Sequence, residues 1–173
     1  MRLLTPSPAH SLLRAVARSG VTAAIYMALT LLFRPISFGS IQFRIAEALM
    51  LLPILTVDAV PGLFIGCLLG NLLGGAVWVD VLLGAVATLL AAAFAYEWRD
   101  RPALAVLSTV LFNSLIVGPV VYLAYVRAPG TPMHIPTMLA NMGTVGFGEL
   151  VVCSSLGLPL LAALRRLPQS VFD

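Results

Sequence analysis

The sequence predicts an all-α membrane protein, folded as a bundle of six transmembrane helices. Sixty per cent of its 173 residues are hydrophobic, only 10% are charged, and the mean hydropathy is +1.03. A water-soluble fold of this size would not have enough polar residues to cover its surface. Apolar stretches of roughly 16 to 27 residues, long enough to cross a bilayer, alternate with short segments rich in proline, glycine and charge.

The six predicted spans follow one another with short connections. They cover residues 15 to 33, 41 to 57, 59 to 75, 78 to 97, 103 to 126 and 137 to 164. The first begins like a signal peptide, but Arg34-Pro35 stands where small residues would mark a cleavage site, so we expect a retained span. The second carries Arg44 and Glu47 and is interrupted by Pro53. We expect it to be short or partly re-entrant.

The arginines predict the orientation. All ten basic residues are arginines, and a cytoplasmic N-terminus leaves only Arg34, Arg44 and Arg127 outside, as the positive-inside rule favours. Both termini are then cytoplasmic, which requires an even number of spans. The predicted organisation is a cytoplasmic tail at residues 1–14, a six-span membrane domain at 15–164 and a cytoplasmic tail at 165–173.

Several classes of function lack the residues they need. The arginines are dispersed, so the pI of about 9.3 does not indicate a nucleic-acid surface. Cys67 and Cys153 lie inside apolar runs, where neither a disulfide framework nor a metal site is indicated. No histidine cluster, serine triad or paired acidic metal motif supports an enzyme.

Small residues recur every four positions along two spans. Gly62, Gly66, Gly70 and Gly74 line the third span, and Gly20, Ala24 and Ala28 line the first. Such stripes let a neighbouring helix approach closely. We favour packing within the chain for the glycine stripe, whereas internal packing and a subunit interface are equally open for the first span.

Polar residues inside the membrane carry the functional information, because a charge in hydrocarbon costs at least about 2.5 kcal/mol. Asn113 and Glu149 are expected near the midplane. The outer half or the outer loops would hold Arg34, Gln42, Arg44, Glu47, Asn71, Trp78, Asp80 and Asn141. This distribution predicts a polar pocket that opens to the outside.

These residues have structural as well as functional interpretations. Arg44 and Glu47 are three residues apart and share a helical face, so an ion pair is the favoured interpretation for Arg44. Glu149 has no basic residue within a helical turn, which favours a functional carboxylate over a buried neutral acid. The three asparagines tie helices together by default. Together with two glutamates, however, they suit the hydrogen-bonding edge of a flat heterocycle.

Two segments resemble the QueT transporter family, namely residues 38–49 (FGSIQFRIAEAL) and 61–75 (PGLFIGCLLGNLLGG), with support from 146–150 (GFGEL). The resemblance implies the six-helix substrate-binding S component of an energy-coupling factor (ECF) transporter in a prokaryotic cell membrane. It further implies capture of a queuosine precursor, such as 7-aminomethyl-7-deazaguanine, from outside. The implied partners are a transmembrane T component and two ATPases.

The resemblance also bears on the first span and on the energy source. S components contact the T component through an alanine-x-x-x-alanine pattern, which Ala24 and Ala28 match, and this favours an interface at Gly20, Ala24 and Ala28. A chain without lysine cannot form a phosphate-binding loop. We therefore expect no cofactor in this chain, with ATP used by the partner subunits.

The predicted site combines these residues around a deazapurine. Trp78 or Phe43 would stack on the ring, Glu47 or Asp80 would meet a cationic aminomethyl group, and the loop from Pro35 to Ser40 would act as a lid. The guanine-like edge would bind to Glu47, Glu149, Asn71, Asn113 and Asn141. Gln42 and Arg44 complete the candidate set.

Three alternatives remain at this stage. A stand-alone carrier or channel would need no ATPase partner. A membrane-embedded enzyme would use the pairs Arg44/Glu47 and Arg99/Asp100, although no nucleophile with a nearby base supports it. A structural scaffold would leave the intramembrane glutamates neutral and their substitution harmless to ligand binding.

Overall fold

The computed structural model describes residues 8–37 and 43–168, and within these ranges every regular element is a helix. Alanine, leucine and valine dominate these segments, and helices satisfy their own backbone polar groups, as lipid requires. The elements are α1 (Pro8–Leu32), α2 (Arg34–Ser37), a 3-10 helix (Ile45–Ile54), α3 (Ala59–Gly74), α4 (Trp78–Glu97), α5 (Pro102–Val126) and α6 (Ile135–Leu164).

Four of the described helices are long and apolar enough to cross a membrane. They are Leu12–Leu32 within α1, and the whole of α4, α5 and α6. Their bounds agree with four of the predicted spans to within three residues. The remaining two predicted spans correspond to shorter apolar helices, the 3-10 helix and α3. At about 2.0 and 1.5 Å per residue, these reach roughly 20 and 24 Å, less than the roughly 30 Å of hydrocarbon.

The 3-10 helix confirms that the second apolar segment is short. It begins after Arg44 and includes Pro53, whose missing N–H removes a backbone hydrogen bond near its end. Eight of its ten residues are buried, so neighbouring helices surround it. The apolar run that suggested a lipid-facing span therefore forms part of the protein core.

Helices α1 and α3 pack side by side in parallel. A Cβ atom built at Gly62 would lie 2.6 Å from the Ser19 carbonyl oxygen, and one at Gly70 would lie 3.1 Å from the Thr30 Cβ. The contact of Gly66 with Tyr26 lies between these two, so the contacts follow the same order along both helices. The glycine stripe thus packs within the chain, as the sequence favoured.

Helices α5 and α6 both change from α-helical to π-helical geometry partway along. The π-helical stretches Asn113–Val117 and Cys153–Gly157 each end two residues before a proline, Pro119 or Pro159. Because proline has no backbone N–H to donate, a carbonyl group in the preceding turn loses its α-helical partner. The wider π-helical turn accommodates that carbonyl group. Such π-helical turns are frequent at functional sites.

The interior has an apolar part and a polar part. The apolar part includes the fully buried Met50, Leu51, Leu63 and Ala92, which come from three different elements. The left-handed Gly75, with φ of 82°, turns the chain from α3 into α4. This turn brings the polar ends of both helices next to each other.

Candidate functional site

Six polar side chains are buried in the bundle, and we call them the polar cluster. Each is at most 5% exposed. They come from the segment around the 3-10 helix and from α3, α4, α5 and α6: Arg44, Glu47, Asn71, Asp80, Asn113 and Glu149. Buried charged groups require partners or a ligand, so the contacts of each group show what the cluster can do.

One side of the polar cluster is held by protein contacts. Arg44 Nη2 lies 3.7 Å from Asp80 Oδ1, and these side chains are 4% and 0% exposed. The Tyr125 hydroxyl donates to Asp80 Oδ2 at 3.4 Å and accepts from the Val77 amide at 3.1 Å. Asn71 donates its side-chain amide to the Asp80 carbonyl at 3.4 Å. The Asp80 carboxylate therefore faces Arg44 and Tyr125, while its backbone carbonyl accepts from Asn71.

The ion pair of Arg44 differs from the predicted one in its partner. The sequence suggested Glu47, three residues away, whereas the salt bridge links Arg44 to Asp80 on α4. Arg44 also interacts electrostatically with Glu47. The structural interpretation of Arg44 thus fits the geometry, but its main partner is distant in sequence.

Glu47 is anchored at one of its two oxygen atoms. The Tyr26 hydroxyl donates to Glu47 Oε1, and both side chains are almost fully buried. Sequence analysis missed Tyr26, because the segment around it was interpreted only as a stripe of alanines. A tyrosine in the middle of an apolar helix needs a partner for its hydroxyl, and this was the signal available.

Glu47, Asp80, Asn113 and Glu149 each retain a buried polar atom that has no hydrogen-bond partner among the described residues. These atoms are Glu47 Oε2, Asp80 Oδ1, Glu149 Oε2, and the side-chain oxygen and nitrogen of Asn113. Asp80 Oδ1 faces Arg44 in the salt bridge, which leaves the other three side chains for a ligand. Each such group costs about 1–3 kcal/mol, so native proteins rarely bury one without a purpose. These atoms are the available hydrogen-bonding groups of the site.

Asn113 and Glu149 lie at the same level of the bundle. A Cβ atom built at Gly146 would lie 3.3 Å from the Ser114 Cβ, so α5 and α6 are in close contact there. Asn113 directly precedes Ser114, and Glu149 follows Gly146 by about one helical turn. Glu149 also interacts electrostatically with Glu47, which links these two incompletely bonded side chains.

The other predicted binding residues lie elsewhere. Asn141 is partly buried, and its side chain donates to the Thr137 carbonyl of its own helix at 2.9 Å. Trp78 begins α4 and is 70% exposed, so it lies outside the polar cluster. Phe43 is partly buried beside Arg44 in the sequence.

Part of the proposed lid lies outside the described residues, as does Gln42. Its beginning, Pro35 to Ser37, belongs to the short helix α2. Ser37 is buried and donates its hydroxyl to the Phe33 carbonyl at 2.9 Å. This start of the loop is thus tied to the C-terminal end of α1.

The residues expected to meet a partner occupy a free face of α1. Gly20, Ala24 and Ala28 are all exposed, and no atom comes within 4 Å of a Cβ built at Gly20. This face points away from α3, which packs on the opposite side.

No metal site is apparent within the described ranges, because no group of three His, Cys, Asp or Glu residues there could hold an ion.

Comparisons with known proteins assign the chain to a family. The family described as QueT transporter matches residues 16–166. The queuosine precursor transporter QueT of Lactococcus lactis subsp. cremoris (strain MG1363) is 36% identical over 72 residues, 40% of this chain and 42% of that relative. No solved structure matches. With a family match over most of its length and several long apolar helices, this multi-pass membrane protein belongs to the QueT transporter family.

Proposed function

We propose that the chain is the substrate-binding S component of an ECF importer and that it captures a 7-deazaguanine queuosine precursor from outside. The family match and the name of the relative support transport of such a compound. The observation that carries the proposal is the set of incompletely bonded polar atoms on Glu47, Asn113 and Glu149. These groups complement the donors and acceptor of a guanine-like edge.

The chemistry of that edge suggests a role for each side chain. Guanine-type rings present an acceptor at O6 and donors at the exocyclic amine and the ring N–H. A carboxylate such as Glu149 accepts from two neighbouring N–H groups, while the Asn113 amide donates to O6. An analogue without these groups would leave the buried atoms unpaired, and the site would reject it.

The aminomethyl group of the ligand assigns a role to Glu47. Both carboxylate oxygens of Asp80 face a partner, Oδ1 the Arg44 guanidinium at 3.7 Å and Oδ2 the Tyr125 hydroxyl, whereas Glu47 Oε2 has neither a hydrogen bond nor a salt bridge among the described residues. A carboxylate with an unused oxygen is the better acceptor for an ammonium group. Of the two acids proposed from the sequence, we therefore assign this role to Glu47.

The remaining features of the proposal concern topology and partners. The 3-10 helix and α3 would complete a six-helix bundle, with both termini in the cytoplasm and the polar cluster in the outer half. The exposed face at Gly20, Ala24 and Ala28 would contact the T component. Two partner ATPases would use ATP, and the chain would catalyse no reaction and hold no cofactor of its own.

Equilibrium binding to the purified chain tests the ligand assignment. We expect 7-aminomethyl-7-deazaguanine to bind, and Glu149→Gln to weaken binding at least tenfold, because an amide cannot accept from two N–H groups. Glu97→Gln is the matched control, since it makes the same change at an exposed position at the end of α4. Absence of binding by the folded wild-type chain would refute the proposed ligand.

Co-purification tests the transporter class. Expression together with T and ATPase subunits from the same cell should yield a stable complex, and Ala24→Leu should disrupt it by filling the exposed stripe. Leu12→Ala, on an exposed part of α1 outside the stripe, serves as the control. Transport without any ATPase subunit would instead support a stand-alone carrier.

A further inference from the structure

The polar cluster buries more negative than positive groups. Among the described residues it contains three carboxylates, on Glu47, Asp80 and Glu149, and a single guanidinium, on Arg44. All four side chains are at most 5% exposed. If every carboxylate were ionised, the cluster would have an excess of two negative charges in a medium where each unneutralised charge is costly.

The contacts divide these groups into two pairs. Arg44 and Asp80 form the salt bridge, at 3.7 Å, and neutralise each other. Glu47 and Glu149 remain. Cys153, one helical turn after Glu149 on α6, donates its thiol to the Glu47 carbonyl at 3.5 Å, so the two glutamates belong to segments in contact, and they interact electrostatically with each other. Two carboxylates that share a buried site do not both ionise, because each charge opposes the other. A single proton held by this pair in the empty site would remove the repulsion.

Among the described residues, the groups that interact with the pair include no cation besides Arg44. The other titratable side chains that interact with it are weak acids, namely Tyr26 on α1, Cys67 on α3 and Cys153 on α6. Asp80 on α4 and Tyr125 on α5 interact with Arg44. The additional positive charge must come from the ligand or from a proton.

We propose that the Glu47–Glu149 pair exchanges one proton for the cationic arm of the ligand. This inference rests on the proposed function and adds the charge of the substrate and the coupling of its binding to pH. On binding, the ammonium group takes the place of the proton, which leaves to the outer solution, and both glutamates are then ionised. The buried net charge is one negative before and after binding, so the exchange balances.

The exchange selects for positively charged ligands. A neutral deazaguanine of the same size cannot replace the proton, so it binds to the protonated pair and releases nothing. A cationic ligand releases one proton, and its association constant rises about tenfold per pH unit while the empty pair remains protonated. An aliphatic ammonium stays charged below about pH 9, like that of lysine.

Calorimetry in buffers of different ionisation enthalpy measures the protons released. With the wild-type chain in detergent, we expect about one proton released for each 7-aminomethyl-7-deazaguanine bound, and close to none for neutral 7-cyano-7-deazaguanine. Binding of the neutral ligand measures any protons that other groups release when a ligand enters the site. Glu47→Gln leaves a single, ionised carboxylate, so the cationic ligand should then bind without proton release.

The outcomes separate this inference from the proposed function. Tight binding of the cationic ligand with no proton release and no pH dependence would overturn the exchange and leave the substrate assignment intact. Equal proton release with the neutral ligand would also overturn it. If neither deazaguanine binds to the folded chain, both the substrate assignment and the exchange fail.

Discussion

A single added methyl group at Gly66 should disturb both the packing of α1 on α3 and the binding site. An alanine Cβ there would lie 2.8 Å from the Tyr26 Cβ and 2.9 Å from the Ala23 carbonyl oxygen. Carbon atoms in contact normally lie about 3.5–4.0 Å apart. Since backbone atoms are among the neighbours, the helices must separate by about 0.7–1.2 Å, the difference between the normal and the built distance.

This separation has a cost that can be measured. Overpacking of this kind destabilises a protein by about 1–3 kcal/mol, which corresponds to a fall in Tm of about 2–12 °C for a chain of this length. Because Tyr26 donates to Glu47, ligand affinity should fall as well. Thermal unfolding of Gly66→Ala in detergent, followed by the fluorescence of Trp78 and Trp98, measures the first effect.

The matched control lies on the opposite face of α1. No atom comes within 4 Å of a Cβ at Gly20, and alanine is favoured over glycine inside a helix by about 1 kcal/mol. Gly20→Ala should therefore leave the Tm unchanged or raise it. If Gly66→Ala unfolded at the wild-type temperature, the close approach of α1 and α3 would be refuted.

Three further substitutions test the interior by the same thermal assay. Tyr26→Phe removes the donor to Glu47 and should cost about 1–3 kcal/mol, whereas a wild-type Tm would show that the hydrogen bond is not made. Asp80→Asn leaves Arg44 buried without its carboxylate and should cost about 3–5 kcal/mol; an unchanged Tm would contradict the ion pair. Ser108→Ala loses a 3.2 Å bond from α5 to a carbonyl of α4, for which about 0.6 kcal/mol is typical in membranes. A fall in Tm as large as that of Asp80→Asn would contradict the small contribution expected of the Ser108 hydrogen bond.

The spans were predictable because long apolar stretches, separated by proline, glycine and charged residues, are what contact with lipid requires. The whole of α4 coincides with the predicted residues 78 to 97. Pro53 and the two charges near it correctly indicated a shortened second segment. Its 3-10 geometry was not predictable, since a fully buried apolar run has no period that distinguishes a 3-10 helix from an α-helix.

The burial of these polar side chains was predictable from the sequence, but their pairing was not. The cost of burying polar groups selected Glu47, Asn113 and Glu149, which are all buried and keep polar atoms without a hydrogen bond among the described residues. The salt bridge between Arg44 and Asp80 joins segments that are distant in the chain, and local spacing cannot show such a contact. Trp78 is aromatic and close to the polar residues in sequence, yet it is exposed because it begins α4 at the surface.

The short α3 has a consequence for the surrounding lipid. One face of this helix is exposed, at Ile65, Leu69 and Leu73, while its length of about 24 Å falls roughly 6 Å short of the hydrocarbon thickness. Hydrophobic mismatch costs a fraction of a kcal/mol per Å. If α3 crosses the membrane, as the proposed six-helix bundle requires, the bilayer must thin beside it or the protein must tilt. Membrane thickness would then act on the orientation of this chain.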